Sequence, residues 1–150
     1  VVETLSVLAA VGTGVTAGVL FAVALSVLPA LFAMEPRTYV EAHRLLGRNW
    51  DPVMPLTVLT STGLNVALAV LRTGTARELY IVTAVLLLGV STVSHLCNVP
   101  INRRVKAVAT DGALPSDWED PRPLWRRWHL LRTGLALAAL VVGSGATALH

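Results

Sequence analysis

The chain has a single cysteine, Cys97, in 150 residues. That excludes an internal disulfide and any multi-cysteine metal knuckle, and the thiol reads as a small apolar filler. Charge is scarce too. Only 14% of residues are charged, against roughly a quarter in soluble domains, so an ordinary soluble domain is excluded. There is no glycine loop to cradle phosphate, no nucleophile triad and no nucleic-acid motif. No His-x-x-x-His pair offers a ready metal site, and no internal repeat or low-complexity segment occurs.

What the chain has in quantity is apolar surface, with 54% hydrophobic residues and a mean hydropathy of +0.65. A helix that crosses a bilayer needs about 20 such residues. Four runs reach or approach that length, over 5–32, 55–71, 79–96 and 130–149. They predict an all-α fold, a four-transmembrane-helix bundle occupying 1–150 as one integral membrane domain. The first run has no basic residue before it and is far longer than a signal-peptide core, so it predicts a retained helix.

Small residues recur at every fourth position of the first run: Ala10, Gly14, Gly18, Ala22, Ser26 and Ala30. Such a stripe lets two backbones approach, either inside the bundle or in a homo-oligomer. Pro29 predicts a bend near the end of that run. Between the first two runs, Pro36 and Thr38 are start signals and Gly47 is a stop signal. They predict a short interfacial helix over 37–46, with Tyr39, His43 and Trp50 near one face. The hydroxyls of the second run, with Asn65, read as helix packing. A long polar loop is expected between the third and fourth runs, with a turn at Asp111-Gly112.

Two stretches break the apolar pattern. His95, Asn98 and Asn102 stand at i, i+3 and i+7 where the third run ends, a spacing that puts them on one helical face. Pro100 falls between them and predicts a kink or a break. Ionisable and amide groups at membrane depth are costly unless they are used or satisfied. At the start of the fourth run, Trp125, Trp128, His129 and Arg132 also share a face.

Four spans place the first and third loops on the same side of the membrane. Every basic residue except Arg72 and Arg77 sorts to that side, which makes it cytoplasmic, with both termini outside. The excess of arginine over lysine suggests a GC-rich bacterium, so the membrane is expected to be a bacterial plasma membrane. This distribution accounts for the net charge of +3 without a nucleic-acid partner. The same sorting gathers His43, His95 and His129 with Trp50, Trp118, Trp125 and Trp128. Ordinary aromatic belts decorate both interfaces. One-sided tryptophans beside three histidines predict a pocket at the cytoplasmic mouth, with the three imidazoles around one cavity.

These residues carry a family resemblance. The element His95-x-x-Asn98-x-Pro100-x-Asn102, the later Trp125-x-x-Trp128-His129-x-x-Arg132, and Pro36-x-x-Tyr39-x-x-x-His43 after span 1 resemble the anthrone oxygenase-like integral membrane family. The resemblance extends over essentially the whole chain. It implies oxidation of a polyketide anthrone to an anthraquinone by molecular oxygen, with no flavin or haem and no other cofactor. The expected partners are the lipid bilayer, a lipophilic aromatic molecule and oxygen. The residue chemistry is compatible: a neutral imidazole from His43, His95 or His129 is a general base able to remove an acidic C–H. Arg132 with the amides of Asn98 and Asn102 would stabilise an oxygen that gains charge. Trp50, Trp125, Trp128 and Tyr39 suit a flat aromatic substrate. Two alternatives stand beside this reading. One is an iron or copper oxidase ligated by His43, His95 and His129 with Glu41 or Asp120. The other is a non-enzymatic bundle that holds a lipophilic ligand or a partner protein.

Overall fold

Apolar length decides the architecture. In the computed structural model, which describes residues 1–109 and 113–149, four helices are long and apolar enough to cross a membrane. These are α1 (Val2–Ala33), α2 (Pro36–Leu71), α3 (Gly74–Ala107) and α4 (Arg122–Ala148). The turn expected at Asp111-Gly112 lies outside the described residues. Each helix packs on the next in sequence and α4 returns to pack on α1, which gives an up-down-up-down bundle. The α2–α3 hairpin is tight enough to need Gly74, whose φ is +59°, a conformation that costs other residues a Cβ clash. Outward side chains such as Leu56, Val70, Val85 and Val141 are largely exposed, and lipid is the solvent that suits them.

The interfacial helix expected over 37–46 is not a separate element. It is the first part of α2, which runs unbroken for 36 residues through Gly47, Pro52 and Pro55. Each proline removes one backbone donor and frees the carbonyl four residues back, here Arg48 and Asp51. Both residues are exposed, so water or headgroups can satisfy those carbonyls and the helix need not break. At 1.5 Å per residue α2 is about 54 Å long, far more than a hydrocarbon core of about 30 Å. Counting about 20 residues back from the hairpin puts the interface near Pro52 on α2 and Val93 on α3. The remaining turns of both helices, with His43 and Asn102, rise beyond it.

The face that α1 buries also differs from expectation. Ser6, Ala9, Thr13, Thr16, Ala17 and Leu20 are the buried residues, while Gly18, Ala22, Ser26 and Ala30 are exposed. Thr16 and Ser6 are accommodated on the inner face because their hydroxyls have partners: Thr16 donates to the Gly12 carbonyl at 2.9 Å and Tyr80 donates to Ser6 at 3.1 Å. The tightest packing at any described glycine is at Gly12, where an added Cβ would collide with the Ser61 hydroxyl of α2. At Gly18 the same atom would meet open space. Gly12→Ala is therefore expected to destabilise the bundle by about 1–2 kcal/mol, through overpacking and the forced rotation of Ser61. Gly18→Ala is expected to leave stability unchanged or raise it slightly. Thermal unfolding in detergent measures both, and equal melting points would refute the Gly12 contact.

Candidate functional site

Two π-helical turns shape the site. They span Val23–Val27 in α1 and Ser94–Asn98 in α3, and each ends two residues before a proline, Pro29 or Pro100. A proline ring clashes with the carbonyl of the turn before it and has no N–H to offer. Widening that turn relieves the clash and keeps the helix running. The bend expected at Pro29 and the kink or break at Pro100 therefore take the form of π turns. In a widened turn the same face returns after four or five residues rather than three. His95, Val99, Asn102 and Lys106 consequently line one cavity, while Asn98 turns into the protein and is fully buried. Its Nδ2 donates to the Trp125 carbonyl at 3.3 Å.

The cavity has a volume of about 480 Å³, within the range of small-molecule sites, about 300–1,000 Å³. All four helices contribute to it. Its floor is apolar, with Val19, Leu20, Val58 and Val90, and its rim carries Trp50, Asp51, Arg103 and Lys106. Asp51 and Lys106 form an ion pair that joins α2 to α3 across the rim. His43, His95 and His129 all line this one cavity, together with Asn102, Trp125 and Arg132. Three residues expected here stand elsewhere. Asn98 is turned away as described. Tyr39 is buried behind His43, its ring edge-on at 5.5 Å. Trp128 packs against the apolar cluster of Leu31, Val40, Ile101 and Val105. On α4 the inward face thus repeats as Trp125, His129 and Arg132, at i, i+4 and i+7, and leaves out i+3.

The walls are held by aromatic and polar contacts. Trp125 stacks on His129 with centroids 5.0 Å apart and planes 8° from parallel, and it meets His43 edge-on at 5.8 Å. His129 Nε2 donates to the Leu20 carbonyl at 3.0 Å. A carbonyl can only accept, so Nδ1 carries the lone pair, and that atom accepts from Arg132 Nη2 at 3.0 Å and Nε at 3.3 Å. Arg132 Nη1 donates to Ser94 Oγ at 3.1 Å, and Ser94 donates on to the Val90 carbonyl at 2.7 Å. The guanidinium is thereby fixed through three of its five N–H groups, and two are left over. Among the described residues no carboxylate pairs with it; the carboxylates in ion pairs are Glu41, Asp51 and Asp120. His95 Nδ1 donates to the Ser91 carbonyl at 2.9 Å, and the residue is exposed at the cavity mouth.

The three imidazoles do not form a metal-ligand set. Among the described residues no group of three or more His, Cys, Asp or Glu side chains could hold an ion. Both ring nitrogens of His129 are already engaged. Ser94, Asp51, Lys106 and the Leu20 carbonyl belong to the site and were missed by the sequence reading. Of these only Lys106 had a signal, as a basic residue sorted to the same face.

A model described as anthrone oxygenase matches residues 42–142, a stretch that includes His43, His95, Asn102, Trp125, His129 and Arg132. No curated protein and no solved structure matches the chain.

Proposed function

The chain belongs to the anthrone oxygenase family, and from that premise we propose that it is a cofactor-independent membrane oxygenase acting on an electron-rich polycyclic aromatic of the anthrone type. The observation that carries this reading is one apolar cavity walled by three imidazoles and by a guanidinium that has no carboxylate partner among the described residues. An imidazole removes the proton from the acidic C–H between the rings. The enolate that results places negative charge on oxygen, and the free N–H groups of Arg132 with the Nδ2 donors of Asn102 stabilise it. The carbanion passes one electron to molecular oxygen, and the radical and superoxide combine to a peroxide that takes up a proton. Loss of the remaining C–H proton with cleavage of the O–O bond releases water and leaves the second carbonyl. The balance is one anthrone and one oxygen molecule to one quinone and one water, with no external reductant.

The cavity suits a flat aromatic molecule, since its floor is aliphatic and the Trp125 indole forms part of its wall. The apolar floor near the interface lets both substrate and oxygen come from the bilayer, where they partition. On the charge distribution of the loops, the site faces the cytoplasm.

The test is turnover of an anthrone by membranes containing the protein, under ¹⁸O₂. One labelled oxygen in each quinone, with one oxygen molecule consumed, is the expected result. Rates no faster than in membranes lacking the protein would remove the reading. So would unchanged rates in His95→Ala, His129→Ala and Arg132→Ala taken together. A stoichiometric iron or copper in the purified protein, lost with activity on chelation, would replace it with the metal oxidase.

A further inference from the structure

Of the three imidazoles at the cavity, two are constrained by groups that can only accept or only donate, and the third by a chain of such groups. The chain starts at Trp125, whose indole nitrogen donates to Asn102 Oδ1 at 2.8 Å. An indole N–H cannot accept a hydrogen bond. It therefore fixes which end of the Asn102 amide faces inward, and that end is the oxygen. The same oxygen stands 3.1 Å from His43 Nε2. Since it can only accept, Nε2 must carry the hydrogen, and the lone pair of the His43 ring lies on Nδ1. No hydrogen bond takes up Nδ1 among the described residues.

The other two rings compare poorly as proton acceptors. The lone pair of His129 already receives the Arg132 guanidinium, so taking a proton would first require breaking a charged contact and would then set two cations together. His95 has a free acceptor at Nε2, but its ring is exposed at the mouth, where water competes for the proton. His43 is 93% shielded, with 7% of its surface exposed, and it still lines the cavity.

We infer that His43 is the base of the proposed reaction and that Trp125 and Asn102 are positioning residues that lock it in the Nε2–H tautomer, with Nδ1 as the proton acceptor. This rests on the oxygenase reading for its chemistry, but the lock itself is a property of the resting protein. The three groups come from α4, α3 and α2, so the tautomer is set only when the bundle is assembled. When Nδ1 gains the proton, the Nε2–H···Oδ1 bond becomes charge-assisted and shorter, and Asn102 steadies the imidazolium without a carboxylate that would trap it.

The experiment is ¹⁵N spectroscopy of the histidine-labelled protein in lipid nanodiscs, paired with turnover. The His43 signals are assigned by their loss in His43→Gln. In the resting protein, His43 is expected to show a protonated Nε2 and an unprotonated Nδ1. Trp125→Phe keeps the stack on His129 but frees the Asn102 amide to rotate. It is expected to mix the two tautomers and lower kcat about tenfold, with KM little changed. Asn102→Leu is expected to mix them likewise, while Asn102→Asp restores the Nε2–H form. His43→Gln is expected to lower kcat about 10²-fold. A resting His43 that carries its hydrogen on Nδ1, or that keeps one tautomer in Trp125→Phe, overturns the lock whatever the activity. Tautomer mixing without loss of turnover, or full turnover in His43→Gln, overturns the base assignment. A locked tautomer in a protein that oxidises no anthrone counts against the reaction and leaves the lock standing.

Discussion

Arg132→Leu is expected to reduce oxygen-dependent turnover by about 10²–10³-fold, the range seen when a preorganised oxyanion donor is removed, without lowering the melting temperature. The two halves of this result have one cause. The guanidinium sits among α1, α3 and α4, holds His129 and Ser94, and has no carboxylate partner among the described residues. A part-buried cation without a counter-charge loses some of its hydration, and that cost is not returned by a partner of opposite sign. Its hydrogen bonds to a neutral imidazole and a hydroxyl return only part of that. Leucine removes the cost and fills much of the volume, although it leaves His129 Nδ1 without a donor, so the net effect on stability is near zero or favourable. Activity moves the other way, because the charge is uncompensated only until an oxyanion forms beside it. Arg132→Lys keeps the charge but loses the planar fork that reaches His129 and Ser94 at once, and an intermediate rate is expected. Initial rates in membranes, set beside thermal unfolding in detergent, measure both halves. A variant that loses activity and stability together would mark Arg132 as structural.

The relation between sequence and structure follows the same physics. Hydropathy made the four spans legible, because a run of about 20 apolar residues has few other fates. Charge asymmetry then placed three histidines at one mouth, and they do line one cavity. Local periodicity failed at the prolines. A spacing of i, i+3 and i+7 assumes 3.6 residues per turn, and the π turn at Ser94–Asn98 replaces it with a wider one, so that Asn98 faces inward to Trp125 and Val99 takes its place. Gly47 resembled a stop and Pro55 the start of the second run, yet exposure of the carbonyls freed by Pro52 and Pro55 let α2 continue through them. The small-residue stripe of α1 offered two readings, and the fold decides against one of them. The inner face carries Ser6, Thr13 and Thr16 instead, while the exposed Gly18, Ala22, Ser26 and Ala30 leave the homo-oligomer reading in place. The Leu20 carbonyl could not have been found at all, since every residue type carries that acceptor and only the tertiary fold selects one.

Arg122→Leu is expected to cost about 2–4 kcal/mol of stability. Arg122 opens α4 and ties it to the end of α1. Its Nη1 donates to the carbonyls of Leu31 at 2.9 Å and Met34 at 2.7 Å. Those acceptors are in the last turn of α1 and at the residue that caps it, where unpaired carbonyls concentrate negative charge. Each charged hydrogen bond of this kind contributes about 1.5–3 kcal/mol, and desolvation of the guanidinium takes back part of the sum. The side chain also stacks 5.0 Å from the Tyr39 ring centroid, so one residue joins α1, α2 and α4. Asp120 completes the arrangement with a two-pronged contact to Nε and Nη2. The guanidinium beside it holds the Asp120 carboxyl below its ordinary value of 3.8. The contribution of that pair is therefore complete above the ordinary value and is lost as pH falls through the lowered folded value. Because the Asp120 side chain is 40% exposed, Asp120→Asn is expected to lose far less than Arg122→Leu, and to flatten the drop in melting temperature expected below about pH 4. Denaturation of the two variants across that range separates their roles. Equal losses would assign the staple to the ion pair, and a smaller loss in Arg122→Leu would show that α1 and α4 are held by their apolar contacts alone. The same staple anchors the α1–α4 seam at which His129 reaches Leu20, so Arg122→Leu should also lower turnover, by loosening the wall rather than by touching the substrate.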